Sequence, residues 1–199
     1  MVEELLDAAV RHIRESGIEG LSLRDLAREV GVSHGAPYRH FADKKALLIG
    51  IATQGYQLLF TGLERAFAES KGGPIDQLSN MAFAYVQFAI KNPVHLSLMY
   101  GPELTSSADH EEEGFQKGLE DASSQVLQMV QGVISHGQRA GALAAGDVLI
   151  QTAATWSMVH GLAILKGTGC LDDGGFEKYD EESLIRSTVR MIFDGLRAR

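Results

Sequence analysis

Apolar positions recur three and four apart along nearly the whole chain, and nowhere do apolar and polar residues alternate between turn signals. That spacing predicts an all-α protein of about nine helices. Val2, Leu6, Ala9 and Ile13 share one face of a first helix, which Gly17 ends as a residue tolerant of the left-handed conformation. Ser22-Leu23-Arg24-Asp25 has the spacing of a capping box, with the serine oxygen accepting a backbone N–H and Asp25 reaching back. Leu23, Leu26, Ala27 and Val30 give the buried face of a short second helix, and Gly31 closes it. Ser33 is placed to cap a third helix running to about residue 40. Asp43 is placed to cap a long fourth one carrying Ala46, Leu47, Ile51, Tyr56, Leu59, Phe60 and Leu63 to about residue 69.

Lys71-Gly72-Gly73-Pro74 interrupts the pattern. A fifth helix over about 75–91 carries two apolar stripes: Leu78, Met81, Ala82, Tyr85 and Phe88 on one side, and Phe83, Val86 and Ile90 on another. A helix apolar on more than one side belongs at the centre of a larger domain. Asn92-Pro93 ends it, and a short helix over about 94–101 and a polar loop to about residue 114 follow. Further helices are expected over about 115–138, 146–167 and 180–198, with a glycine-rich connection over 167–175.

Composition narrows the class. Hydrophobic residues make up 45% of the 199, enough for a real core. No apolar run approaches eighteen residues, so no membrane partner is expected. Glu3, Glu4 and Asp7 stand where a secretory leader needs positive charge, and the single Cys170 has no disulfide partner; both favour a cytoplasmic location. The net charge of −8 is unevenly spread. Residues 20–48 hold five basic against three acidic side chains, +2, while residues 51–199 hold 11 against 18, −7. A basic island on an acidic body can bind phosphate locally while the body discourages promiscuous attachment.

The island coincides with an organised unit. Three short helices precede the long one, and only Gly31, Val32 and Ser33 join the second to the third. This is the arithmetic of a helix-turn-helix. The plainer alternative is three helices that merely pack, but His34, Gly35, Arg39 and His40 then have no structural task. The stretch "GIEGLSLRDLAREVGVSHGAPYRHFADKKALL", residues 17–48, closely resembles the DNA-binding region of TetR-family transcriptional regulators. The family pattern Tyr-x-His-Phe-x-x-Lys-x-x-Leu reads here Tyr38, His40, Phe41, Lys44 and Leu47, with every spacing kept.

The resemblance implies phosphate contacts from Tyr38, His40 and Lys44, and from Ser22 and Arg24 at the start of the second helix. Ser33, at the start of the third, joins this set. Gly35 is the point of close approach, lacking a side chain to hold the backbone off the groove. His34, Ala36 and Arg39 are candidates for base or flanking contacts; Arg39 could read guanine or hold the backbone. Many members have Thr-Leu before the tyrosine, whereas this chain has Ala36-Pro37, so no hydroxyl reaches a phosphate from position 36. The implied organisation is a DNA-binding domain over 1–48 and a helical bundle over 49–199 for ligand binding and dimerisation.

Within the bundle, "WSMVHGLAIL", residues 156–165, resembles the Trp-x-x-x-His-Gly segment of one subgroup of the family. Ile150, Ala154, Ser157 and Gly161 form a small-residue face, and Ile185, Val189, Ile192 and Leu196 a second stripe; by resemblance these make a homodimer interface, though both could be monomer core. Tyr56, Phe60, Met81, Tyr85, Phe88, Met99, Phe115, Trp156 and His160 are candidate lining residues for a small hydrophobic or aromatic ligand, although an aromatic or methionine at helical spacing is more often plain core. The implied protein is a dimeric regulator of double-stranded operator DNA, a repressor released by its ligand, with no cofactor. Two other readings are weaker. Ser157 or Cys170 beside His160 lacks a third group for nucleophilic catalysis, and His110 with Glu111, Glu112 and Glu113, a conceivable metal sensor, reads as a solvated charge run.

Overall fold

A computed structural model describes residues 1–101, 104 and 113–197. Among the described residues the chain forms eight α-helices: α1 (Val2–Ser16), α2 (Leu23–Val30), α3 (Lys44–Glu69), α4 (Pro74–Lys91), α5 (Pro93–Tyr100), α6 (Glu113–Arg139), α7 (Val148–Gly167) and α8 (Glu181–Asp194). The ninth helix expected, over 33–40, is a turn followed by a 3-10 segment at Pro37–Arg39. Two compact units result, one of Met1–Gln57 with Asn92–Ser123, the other of Leu58–Lys91 with Ser124–Arg199.

In the first unit, α1 opens with Glu3 and Glu4 against its positive end and stops at Gly17, whose φ of 79° only glycine adopts without strain. Leu5, Leu6, Ala8, Ala9 and Val10 face inward; Val2, expected there, is exposed. α2 ends at Gly31 in the left-handed region, with the Val32 N–H returning to the Ala27 carbonyl. Asp43 caps α3 as expected, its Oδ1 accepting the Ala46 N–H at 2.8 Å. The capping box at α2 does not form. Ser22 makes no side-chain cap bond, and Asp25 Oδ1 accepts from Arg28 at 2.7 Å instead. A charged partner one turn on competes better for that carboxylate than a neutral N–H does. Helix crossings are close at two glycines of α3: a Cβ on Gly50 would lie 3.0 Å from the Phe41 ring, and one on Gly55 2.8 Å from Met99 Sδ.

In the second unit, α4 packs against α7 and α8 through Leu78, Met81, Ala82, Tyr85, Val86, Phe88 and Ala89, so the helix expected at the centre is there. Asp147 caps α7, accepting the Leu149 and Ile150 N–H groups at 2.7 and 3.2 Å, and Asp180 caps α8 through the Ser183 N–H at 2.9 Å. The Ser183 bonds hold the Asp180 carboxyl below its usual range. Beyond α8 the chain is tied back by an antiparallel bridge between Leu143 and Arg197.

α7 buries Thr152, Thr155, Val159, Leu162 and Ala163 but exposes Leu149, Ile150, Trp156, Met158, Ile164 and Leu165. By length and composition alone, α3 and α7 are each apolar enough to cross a membrane, although no unbroken apolar run marks them in the sequence. α3 is mostly buried within the chain; α7 much less so.

Candidate functional site

Gly31 turns the chain out of α2, and the Ser33 carbonyl accepts the Ala36 N–H at 2.9 Å, closing a turn around His34 and Gly35. Ser33 therefore closes this turn and does not cap an α-helix. Pro37 then starts the 3-10 segment, and its carbonyl accepts the N–H groups of both His40 and Phe41 at 2.9 Å. Proline at this first position has no N–H to lose, and the glycine two residues before it keeps an α-helix from starting earlier. Pro37 and Phe41 are buried, the latter against Gly50 of α3. They anchor the segment and fix which side chains point away.

Those pointing away are the ones the sequence singled out. Ser33, His34, Gly35, Tyr38 and Arg39 are exposed, and Ala36, His40 and Lys44 half-buried. Tyr38 shows 54% of its surface, a large uncovered area for an aromatic ring. Around Gly35 nothing lies within 4 Å of where a Cβ would be, so the backbone stands open to a close-approaching partner. Ser22 is half-buried and Arg24 exposed at the start of α2. Lys44 is steadied by a 3.3 Å bond from Nζ to the Glu19 carbonyl, a neutral acceptor, and has no ion-pair partner among the described residues. Arg28 is neutralised by Asp25 and Arg11 by Glu29, at 2.7 and 2.9 Å. Arg24 and Arg39 have no ion-pair partner among the described residues.

Two stretches of the chain match known families. Residues 5–51 match the model described as bacterial regulatory proteins, tetR family, and residues 78–192 the model described as tetracyclin repressor-like, C-terminal domain. The chain belongs to the TetR family. It is thus a DNA-binding transcriptional regulator, not an enzyme. The HTH-type transcriptional regulator YobS of Bacillus subtilis, itself uncharacterized, is 26% identical over 195 residues, 96% of this chain and 90% of that one. The tetracycline repressor class D of Escherichia coli is 38% identical over 52 residues, 26% of this chain and 24% of its own. A protein of unknown function from Rhodococcus sp. RHA1 superposes with a TM-score of 0.83 at 31% identity, covering 100% of this chain and 95% of its own. FadR from Bacillus subtilis in complex with stearoyl-CoA has the same fold, with a TM-score of 0.73 at 20% identity over 99% and 100% of the two chains.

The candidate ligand residues of this TetR-family chain fall into two groups. Tyr56 and Met99 lie in the first unit, where Tyr56 Oη donates to the Met99 carbonyl at 3.4 Å and its ring meets Tyr100 edge-on. In the second unit Tyr85 Oη lies 2.8 Å from His160 Nδ1, and Trp156 packs edge-on against the same imidazole. Burial pushes His160 below the ordinary imidazole value, so a neutral ring receiving or donating one hydrogen bond is the favoured form. Met81 and Phe88 are buried in α4, and Phe60 lines an open groove of about 890 Å³ with Phe67 and Met129. The Phe115 side chain, and those of His110 and Glu111 to Glu113, lie outside the described residues.

The two stripes expected at a dimer interface differ in burial within the chain. Ile185 and Val189 are 0% and 1% exposed, because α8 turns this face onto α4 and α7, and Ile192 and Leu196 are half-buried beside them. On α7, Ile150, Ala154 and Ser157 are exposed and Gly161 half-buried. Sequence reasoning missed a hydrogen-bond chain in the first unit. His95 Nε2 lies 3.1 Å from Gln54 Oε1, and Gln54 Nε2 donates to Asp7 Oδ1 at 3.4 Å. The three residues come from three helices, so no local spacing marks them.

Proposed function

We propose that the protein is a homodimeric repressor, acting in the cytoplasm, that leaves its operator when a small hydrophobic molecule binds. In this reading residues 1–48 read DNA and residues 49–199 bind ligand and dimerise. The observation that carries the DNA assignment is the exposed set His34, Gly35, Tyr38 and Arg39, standing on the buried anchors Pro37 and Phe41. Tyr38, His40 and Lys44, with Ser22, Ser33 and Arg24, hold phosphates and set the register. His34, Ala36 and Arg39 face the bases, with Gly35 admitting the groove wall.

Dimerisation through α7 is supported by its uncovered Leu149, Ile150, Trp156, Met158, Ile164 and Leu165, an apolar face that water covers poorly. A two-fold pair then presents two reading units to two half-sites. Tyr85, Trp156 and His160 offer hydrogen-bonding groups among apolar neighbours, alongside Met81, Phe88 and Phe60, and Tyr56, Met99 and Phe115 belong to the same proposal. The stearoyl-CoA held by the FadR of like fold, with its long acyl chain, is a precedent for a ligand with a large apolar part. Release follows from linkage: a ligand preferring a conformation with mis-spaced reading units must weaken operator binding by the same factor.

Selection of operator from random DNA, followed by titration with apolar candidates, tests this. Enrichment of a two-fold-symmetric site, with binding lost on adding one such molecule, is the expected result. Selection of no sequence, or of a single half-site, overturns it.

A further inference from the structure

Away from both candidate sites, the second unit holds a cleft of about 540 Å³ between the start of α4, Ala142 and the far end of α8. Three of its lining residues are arginines, Arg186, Arg190 and Arg197. This is unexpected in a region whose formal charge is −7 over residues 51–199.

Two of the three are held in place. The Arg186 guanidinium lies over the Phe83 ring at 4.0 Å and pairs with Glu182 at 2.7 Å. A guanidinium stacked on a ring keeps its in-plane N–H groups available at the edge. The Arg197 backbone is fixed by its bridge to Leu143, and its side chain pairs with Asp194 at 2.7 Å. Arg190 is left loose, 3.8 Å from the same Asp194 and with 82% of its side chain exposed.

Glu182, Asp194 and Asp76 match the three arginines in number, but Arg186, Arg190 and Arg197 each meet their carboxylate through Nε, which leaves the terminal guanidinium N–H groups to an incoming molecule. Asp194 is shared by two arginines, and Asp76 Oδ2 already accepts the Gly72 N–H at 2.9 Å. Across the cleft, the first turn of the 18-residue α4 adds partial positive charge from N–H groups without helical partners. The other polar lining groups, Ser79 and Asn80, donate to Ile75 and Ser70 and leave the arginines to face an incoming molecule.

We propose that this cleft binds a small phosphate-bearing molecule. Three guanidinium groups on one wall suit three phosphate oxygens, since each presents paired donors in a fixed fork. Pro74, Ile75 and Ala142 give the remainder of such a molecule an apolar surface. The cleft shares no residue with the candidate apolar-ligand set.

The test is calorimetric titration of the full chain, at constant ionic strength, with inorganic phosphate, glycerol phosphate and succinate. Arg190→Gln and Arg186→Gln are compared with Arg65→Gln on α3, which removes the same charge outside the cleft. Arg190, being so exposed, can be changed without disturbing the fold, which guards against misreading a defect in Arg186→Gln. Saturable binding of both phosphates, weakened about tenfold or more by either cleft variant and unchanged by Arg65→Gln, is the result expected. Equal losses in all three variants reduce the site to diffuse charge and overturn it. Absence of saturable phosphate binding overturns it as well, and succinate binding as tightly as phosphate overturns the ligand class.

Discussion

Tyr38 and Lys44 carry different weights in the same proposed task, and the difference can be measured. Lys44 brings a full charge, so Lys44→Ala should weaken binding at all DNA sequences alike and lower the log–log salt slope by about 0.9. Tyr38→Ala should weaken binding as evenly but leave that slope nearly unchanged, because a phenol releases no counterion. A loss confined to one sequence would make either residue a reader of bases. His95 is a second residue whose behaviour follows from its surroundings. Being only 6% exposed, it is pushed below the ordinary imidazole value by burial; Asp7 draws it back up and Arg14 adds to the fall. Below the unfolded value of about 6.5, the unfolded chain takes up a proton that the folded chain refuses. Stability should therefore be unaffected by His95 above that pH, and fall as pH drops toward the folded value. Denaturant midpoints between pH 5 and 8 should show this decline, and His95→Gln should flatten it; an equal decline in the variant removes His95 as its source.

At the scale of elements, two acidic or hydroxyl residues before two helices had equal claims to be caps, and one is. Asp43→Ala removes a bond to the Ala46 N–H and should cost about 1 kcal/mol, whereas Ser22→Ala removes no cap bond and should leave the unfolding midpoint nearly unchanged. Equal losses in the two would mean that Ser22 caps α2 in solution. The contrast shows what local sequence conveys. Helix cores, the glycine stops at 17 and 31 and the long α3 were legible, because periodicity and glycine's freedom at positive φ are local properties. The reading segment was legible in its chemistry but not its form. Gly35 and Pro37 each weaken an α-helix, and together they leave a turn and a 3-10 segment, which neither residue dictates alone. The chain from Asp7 through Gln54 to His95 was illegible for the opposite reason, since its members meet only after three helices have packed.

For the whole molecule, the remaining question is which apolar faces are interior and which are shared. Periodicity marks a stripe as apolar without saying what covers it, so Ile150 and Ile185 looked equivalent in sequence. In the folded chain they are opposites, with 70% of Ile150 exposed and none of Ile185. Ile185→Ala should open a cavity and lower stability by about 2–5 kcal/mol. Ile150→Glu should leave monomer stability nearly intact, because the side chain already meets water. If α7 is the dimer face, the same change places one charge opposite its symmetry mate in an apolar contact, and the two-fold axis doubles the penalty. Sedimentation should then show the Ile150→Glu chain as a folded monomer, and its affinity for a two-half-site operator should fall to that of one reading unit. A dimer that survives Ile150→Glu with operator affinity unchanged would move the interface off this part of α7 and leave the exposed apolar residues there to another partner.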